Sequence, residues 1–192
     1  RIRYNLIHDC YSRGYGGWGI YPDEGSSYLL IENNLVYNTK TGGFHQHYGR
    51  ENVVRNNIFA YAVQNQLART RLEDHVSFLF ERNIVLFNQG DLWHGNWAGE
   101  NAVLRNNLYW NETGAEILFP PKSLKAKKKA TFVQWQKRGL DCGTILADPK
   151  FIDPHQHDFR LRPDSPALKL GFVPFDLSNV GPRKKRWEDS TR

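Results

Sequence analysis

The chain has 192 residues, a formal net charge of +6 and 14% aromatic residues, a length that holds one domain with a sizeable core and little more. The positive charge sits in two runs, Lys122, Lys125, Lys127, Lys128 and Lys129, then Arg183, Lys184, Lys185 and Arg186. Such runs are usually solvated loops or tails, so no nucleic-acid partner is expected, and no apolar stretch approaches the roughly 20 residues that would make the membrane one.

In chain order, one phrase returns five times, an Asn followed by two apolar residues: Asn5-Leu6-Ile7, Asn34-Leu35-Val36, Asn57-Ile58-Phe59, Asn83-Ile84-Val85 and Asn107-Leu108-Tyr109. The intervals are 29, 23, 26 and 24 residues, the first swollen by a Gly-rich loop. Repetition at such a period signals a stacked solenoid. Each unit holds short β-rich runs such as Tyr28–Glu32 and Val53–Arg55 and no helical span, which selects a right-handed parallel β-helix of about four to five coils over a leucine-rich repeat. Equivalent residues of successive coils then stack about 4.8 Å apart, and the repeated Asn is read as a structural amide ladder.

Residues 1–113 are the coils. Residues 114–147 are a basic insert loop followed by a short amphipathic helix, with Thr131 as N-cap, Phe132 and Trp135 on one face and Gly139 as the stop. Residues 148–177 are a terminal coil or cap, in which Pro163, Pro166 and Pro174 end strand extension, and residues 178–192 are a disordered basic tail. Cys10 and Cys142 lie far apart and outside any metal-type spacing, so they do not fix the redox compartment. The chain contains no Met and opens one residue before a strand, which reads as a piece of a longer solenoid with coils before it.

Counting back from each repeat Asn, Asp23 lies 11 residues before Asn34, His45 and His47 lie 12 and 10 before Asn57, Arg71 and Glu73 lie 12 and 10 before Asn83, and His94 and Asn96 lie 13 and 11 before Asn107. Stacking turns equal offsets into neighbours, so one column gathers the ionisable residues, with Arg69 beside it and the aromatics Trp18, Tyr21, Tyr48, Trp93 and Trp97 on or near it. Taken singly, each of these is an ordinary turn residue, a satisfied histidine or a core ring. Taken together they form a strip suited to an extended sugar chain, because rings stack on aromatic faces and hydroxyls take polar partners.

The segments Gly17-Trp18-Gly19-Ile20-Tyr21-Pro22-Asp23-Glu24-Gly25-Ser26 and Gly42-Gly43-Phe44-His45-Gln46-His47-Tyr48-Gly49, with the ending Asp158-Phe159-Arg160-Leu161-Arg162-Pro163-Asp164-Ser165-Pro166-Ala167-Leu168, resemble bacterial β-helix proteins close to glycoside hydrolase family 141. The resemblance implies action on fucosides or xylan by a carboxylate pair. Asp23 looks like the downstream member, whereas the Asp-x-Gly-Gly-Ile-Tyr segment of the upstream member has no counterpart. Glycosidase carboxyls stand roughly 5 Å apart for retention and about 6.5–9.5 Å for inversion, one or two coils of such a helix. Glu73 would sit at the far limit of that range, and the better partner belongs on a coil above Tyr4.

The expectation is therefore a glycoside hydrolase acting on a plant cell-wall polysaccharide or oligosaccharide. Asp23 would be catalytic, and Trp18, Tyr21, His45, His47, Tyr48, Arg69, Arg71, Glu73, His94 and Trp97 would bind substrate, with no metal and no cofactor. Two alternatives stay open. One is a polysaccharide lyase in which Arg69, Arg71 or a neutral His takes the proton beside a uronate; calcium enters only there, and the sequence holds no Asp cluster for it. The other is a non-catalytic glycan-binding repeat protein. The substrate class implies a secreted or periplasmic protein; the oligomeric state stays open.

Overall fold

The computed structural model describes residues 1–97, 99–121 and 128–181. The chain winds as a right-handed parallel β-helix of about four turns. The first turn contributes β1 (Ile2–Arg3) and β2 (Leu6–Cys10), and the second β3 (Leu30–Glu32), β4 (Leu35–Thr39) and β5 (Phe44–Gln46). The next two give β6 (Asn52–Arg55), β7 (Ile58–Ala60) and β8 (Asn65–Arg69), then β9 (Phe78–Glu81), β10 (Ile84–Phe87) and β11 (Asp91–Gly95). Strands β12 (Ala102–Arg105) and β13 (Leu108–Asn111) follow, then helix α1 (Phe132–Gln136) and β14 (Ile145–Leu146). Three parallel sheets result, in the orders β1-β3-β6-β9-β12, β14-β13-β10-β7-β4-β2 and β11-β8-β5.

The corner between the first two sheets explains the repeated phrase. The residue before each repeat Asn, namely Tyr4, Asn33, Asn56, Arg82 or Asn106, has φ between 52° and 56°, which turns the chain out of the first sheet. The Asn that follows bonds along the axis. Asn57 Oδ1 accepts from the backbone N–H and the amide of Asn34 at 3.0 and 2.8 Å, and Asn57 donates to Asn83 Oδ1 at 2.9 and 3.0 Å. Asn5 and Asn83 continue the ladder toward Asn34 and Asn107. It ends at Thr144, whose Oγ1 accepts from Asn107 N at 2.8 Å.

Inward residues stack by rung: Ile31, Val54, Phe80 and Leu104 from the first sheet, Val36, Phe59, Val85 and Tyr109 from the second, Phe44, Leu67 and Trp93 from the third. The end is plugged by Trp135 of α1, which packs on Trp93 and Phe119. Helix α1 begins in a capping box between Thr131 and Gln134, as its sequence predicts, but it spans five residues and stops short of Gly139. Of the insert, residues 122–127 lie outside the described residues, as does 182–192 of the expected tail; Lys129 pairs with Asp91 at 3.1 Å.

Residues 151–177 do not add a coil. They form an antiparallel pair, β15 (Phe151–Asp153) and β16 (Asp158–Leu161), joined by a single 3-10 turn, then a one-turn helix α2 (Pro166–Lys169). This segment lies on the outer face of the second sheet, where Leu35, Ile58, Ile84 and Leu108 meet Phe151, Phe159, Ala167 and Phe172. A sheet apolar on both faces needs such a cover. Asn56 fastens it, exchanging two 2.7 Å bonds with the backbone of Val173.

Candidate functional site

The outer face of the third sheet carries no C-terminal cover; at β5 it is overlaid by the Trp18–Asp23 segment, which leaves His45 7% and Ala68 1% exposed. In β5 the side chains alternate, Phe44 inward, His45 outward and Gln46 inward, and the register carries that alternation along the axis. Tyr21, His45, Ala68 and His94 are aligned in one outward column. Backbone bonds from His47 to Pro22, Thr70 to Gln46 and Asn96 to Arg69 align Asp23, His47, Thr70 and Asn96 in a second column two residues on.

The rings make one surface. Trp18 lies 4.3 Å from Tyr21 and 5.2 Å from His45, centroid to centroid, and Tyr21 lies 4.6 Å from His45. The Tyr21 hydroxyl donates to Asp23 Oδ1 at 2.8 Å, and His45 Nε2 is 2.6 Å from Thr70 Oγ1. A groove of about 360 Å³ runs beside the columns, between Tyr15 and Trp18 on one side and Lys40, His45, Thr70 and His94 on the other. The Gly14–Gly19 loop forms its rim. At Gly17, φ is 85° and a Cβ would stand 2.7 Å from Lys40 Cβ; at Gly19 a Cβ would stand 2.5 Å from the Gly43 carbonyl oxygen. Both glycines are what lets the Trp18–Asp23 segment lie directly on β5.

Burial pushes the His45 imidazole down to about 4, with the charges of His47 and His94 acting in the same direction and Asp23 opposing. At neutral pH this ring is uncharged, and its Nδ1 is buried without a partner among the described residues. The Glu24 backbone N–H and then the Tyr21 hydroxyl hold the Asp23 carboxyl below the usual carboxylate range, while burial and the bond to Asp23 raise Tyr21. Asp23 is therefore an ionised, exposed carboxylate beside a neutral imidazole and a phenol.

Several expected positions lie elsewhere. Arg69 is 1% exposed and points into the coil, where its Nη2 donates to Ser77 Oγ at 3.0 Å. Trp97 is 3% exposed, packs on Phe78 and Trp93, and donates to the His94 carbonyl at 2.8 Å. Glu73 accepts from Gly49 N at 3.0 Å and Ser77 Oγ at 2.9 Å and pairs with His75 at 3.1 Å, so its carboxylate serves the loop after β8. Arg71 lies in that loop with its guanidinium 4.9 Å over the Tyr48 ring, a cation–π contact at the margin of the strip.

The offset count misplaced Arg71 and Glu73 because the loop from Thr70 to Val76 lengthens the path to Asn83. Ala68 is 15 residues before its Asn, whereas its column mate His45 is 12 before its own. Thr70 and Lys40, which do line the groove, were missed as site residues. Alternation within Asn65–Arg69 would have found Thr70: if Leu67 is inward, Arg69 is inward and Thr70 outward.

Fold and surface together define a class, a right-handed parallel β-helix protein with an aromatic and imidazole strip on its third sheet. Among curated proteins the chain is similar to an uncharacterized protein, YwoF, of Bacillus subtilis (strain 168), at 29% identity over 146 residues, 74% of this chain and 26% of that protein. The chain thus spans about a quarter of that relative's length. No family model matches the chain, and no solved structure matches it.

Proposed function

We propose that this is a carbohydrate-active β-helix protein. Its third-sheet groove holds an extended plant cell-wall polysaccharide or oligosaccharide along the helix axis, and Asp23 is one carboxylate of a glycoside hydrolase pair. The observation that carries the reading is the pair of columns, Tyr21-His45-His94 and Asp23-His47-Thr70-Asn96, beside the Trp18 ring. Across successive rungs they extend about 14 Å, long enough for an oligosaccharide and wasteful for a single ring. Hydroxyls, imidazoles and an amide offer donors and acceptors, and Trp18 and Tyr21 offer ring faces to sugar C–H groups.

Being ionised, Asp23 suits the role of nucleophile or base; a proton donor needs a raised pKa. Neutral His45, with its Nε2 on Thr70 Oγ1 and its Nδ1 buried, orients the Thr70 hydroxyl. Asp23 stands on the strip beside the groove, and among the described residues no carboxylate lines the groove itself, so the reading gives this chain the binding strip and one member of the pair. A polysaccharide substrate also implies a secreted or periplasmic location.

The test is the variant Asp23→Asn in a protein extended to the length of its relative, assayed on cell-wall oligosaccharides. Cleavage should be abolished, with an unfolding midpoint unchanged to within about 0.5 kcal/mol, since the residue is exposed. Persistent turnover would remove Asp23 from the mechanism. The neutral His45, with Lys40 nearby in the groove, keeps one second reading in view, a lyase that abstracts a proton beside a uronate. Its mark would be an unsaturated product absorbing in the near ultraviolet.

A further inference from the structure

On the other side of the same corner lies a cleft that shares no lining residue with the groove. It holds about 190 Å³ between the turn that follows the second sheet and the Pro154–Gln156 turn of the C-terminal cover. Its polar walls are Tyr11, Asn38, Tyr61, Asn88, Gln89 and His155. The cleft is built as well as open. The Tyr61 hydroxyl donates to Glu112 Oε1 at 2.9 Å, His155 stacks on the Tyr61 ring at 5.6 Å, and its Nε2 lies 3.5 Å from the same carboxylate. His157, also lining the cleft, is fixed by stacking on Tyr37 at 4.6 Å.

The chemistry of these walls is narrow. Among the described residues no Lys, Arg, Asp or Glu lines the cleft, and Val63 and Pro154 are its only apolar ones. An ionised ligand would lose its hydration without a counter-charge, and an apolar one would strand the amides. What remains is a neutral ligand with a ring face and many hydroxyls. The volume corresponds to about six waters, close to the solvent that one pyranose displaces. Exposed Tyr11 supplies a ring to stack on, and Asn38 on the second turn with Asn88 and Gln89 on the fourth supply both donors and acceptors.

We propose that this cleft is a second carbohydrate site, for a single neutral pyranose unit, independent of the groove on the third sheet. The experiment titrates the chain with the methyl glycosides of xylose, glucose, galactose and fucose, and with methyl glucuronide, by ligand-observed NMR and calorimetry. It is repeated on Tyr11→Ala, Gln89→Ala and the groove variant Trp18→Ala. At least one neutral glycoside should bind, about tenfold more weakly in each cleft variant and unchanged in Trp18→Ala, with the glucuronide at least tenfold weaker than the best neutral sugar. Tyr11 and Gln89 are exposed and Trp18 is half-buried, and a single cooperative unfolding transition confirms that each variant is folded. Absence of binding by every neutral glycoside, binding lost only in Trp18→Ala, or glucuronide binding as tight as the neutral sugars would each overturn the proposal.

Discussion

Asn57 is wholly buried and makes the ladder bonds of two neighbouring coils, so its side chain cannot be removed without leaving the N–H of Asn34 and the carbonyl of Ile31 short of partners. Each stranded group costs about 1–3 kcal/mol. Asn57→Ala should destabilise the protein by about 3 kcal/mol or more in a denaturant titration, far beyond an exposed Asn such as Asn88. Arg69 and Trp18 make the opposite contrast. Arg69→Ala removes a side chain packed inside the coil and should cost about 3 kcal/mol in stability while changing oligosaccharide affinity less than twofold. Trp18→Ala should lose about tenfold or more in affinity, at a smaller stability cost than Arg69→Ala because Trp18 is only half-buried. Calorimetry beside denaturation separates the two. The sequence did not separate them, because Arg69 reads as a site residue until the alternation of its strand is fixed by Leu67.

At the scale of the element, the plug of the solenoid holds a buried acid. Asp141 stands where the Asn ladder ends, with its Oδ1 bonded to Thr144 Oγ1 and 3.4 Å from the Asn107 amide, beneath Tyr109 and Trp135. Burial raises its pKa from the ordinary 3.8 to about 6, opposed by the hydrogen bonds of Thr144 and Asn107 and by the nearby polar hydrogens of Tyr109 and Trp135. Because the folded value lies above the unfolded one, protonation favours the fold: this contribution is complete below about pH 4 and is lost as pH rises through about 6. The shift corresponds to on the order of 3 kcal/mol. His45, lowered to about 4, acts with the opposite sign, its contribution present above about pH 6.5 and lost as pH falls toward 4. The difference between wild type and Asp141→Asn, measured as denaturant midpoints from pH 4 to 7, isolates the acid. The gap should change by a few kcal/mol across that range, and parallel curves would show that Asp141 is not titrating there.

At the scale of the molecule, the solenoid was legible because one corner repeats the same amide chemistry at every turn, which sets both the Asn and its spacing. The third sheet was harder to read. Its interior includes Gln46, Gln66 and Arg69, all buried polar side chains, so no apolar alternation marks its strands. The cover on the second sheet left a clearer trace: two successive apolar residues after each Asn, Leu35-Val36 or Ile58-Phe59, place one side chain on each face and so demand a partner outside the coil. Residues 151–177 supply it, leaving the third sheet as the face without that cover, which carries the aromatic and imidazole strip. That arrangement is the basis for proposing that a glycan chain binds along the third sheet. The most direct test is to titrate the chain with xylo-oligosaccharides while following the imidazole 1H–15N signals of its histidines. Shifts in the signals of His45, His47 and His94, with His8 and His75 unmoved, are the predicted result; saturating binding that leaves those three signals in place would contradict the account.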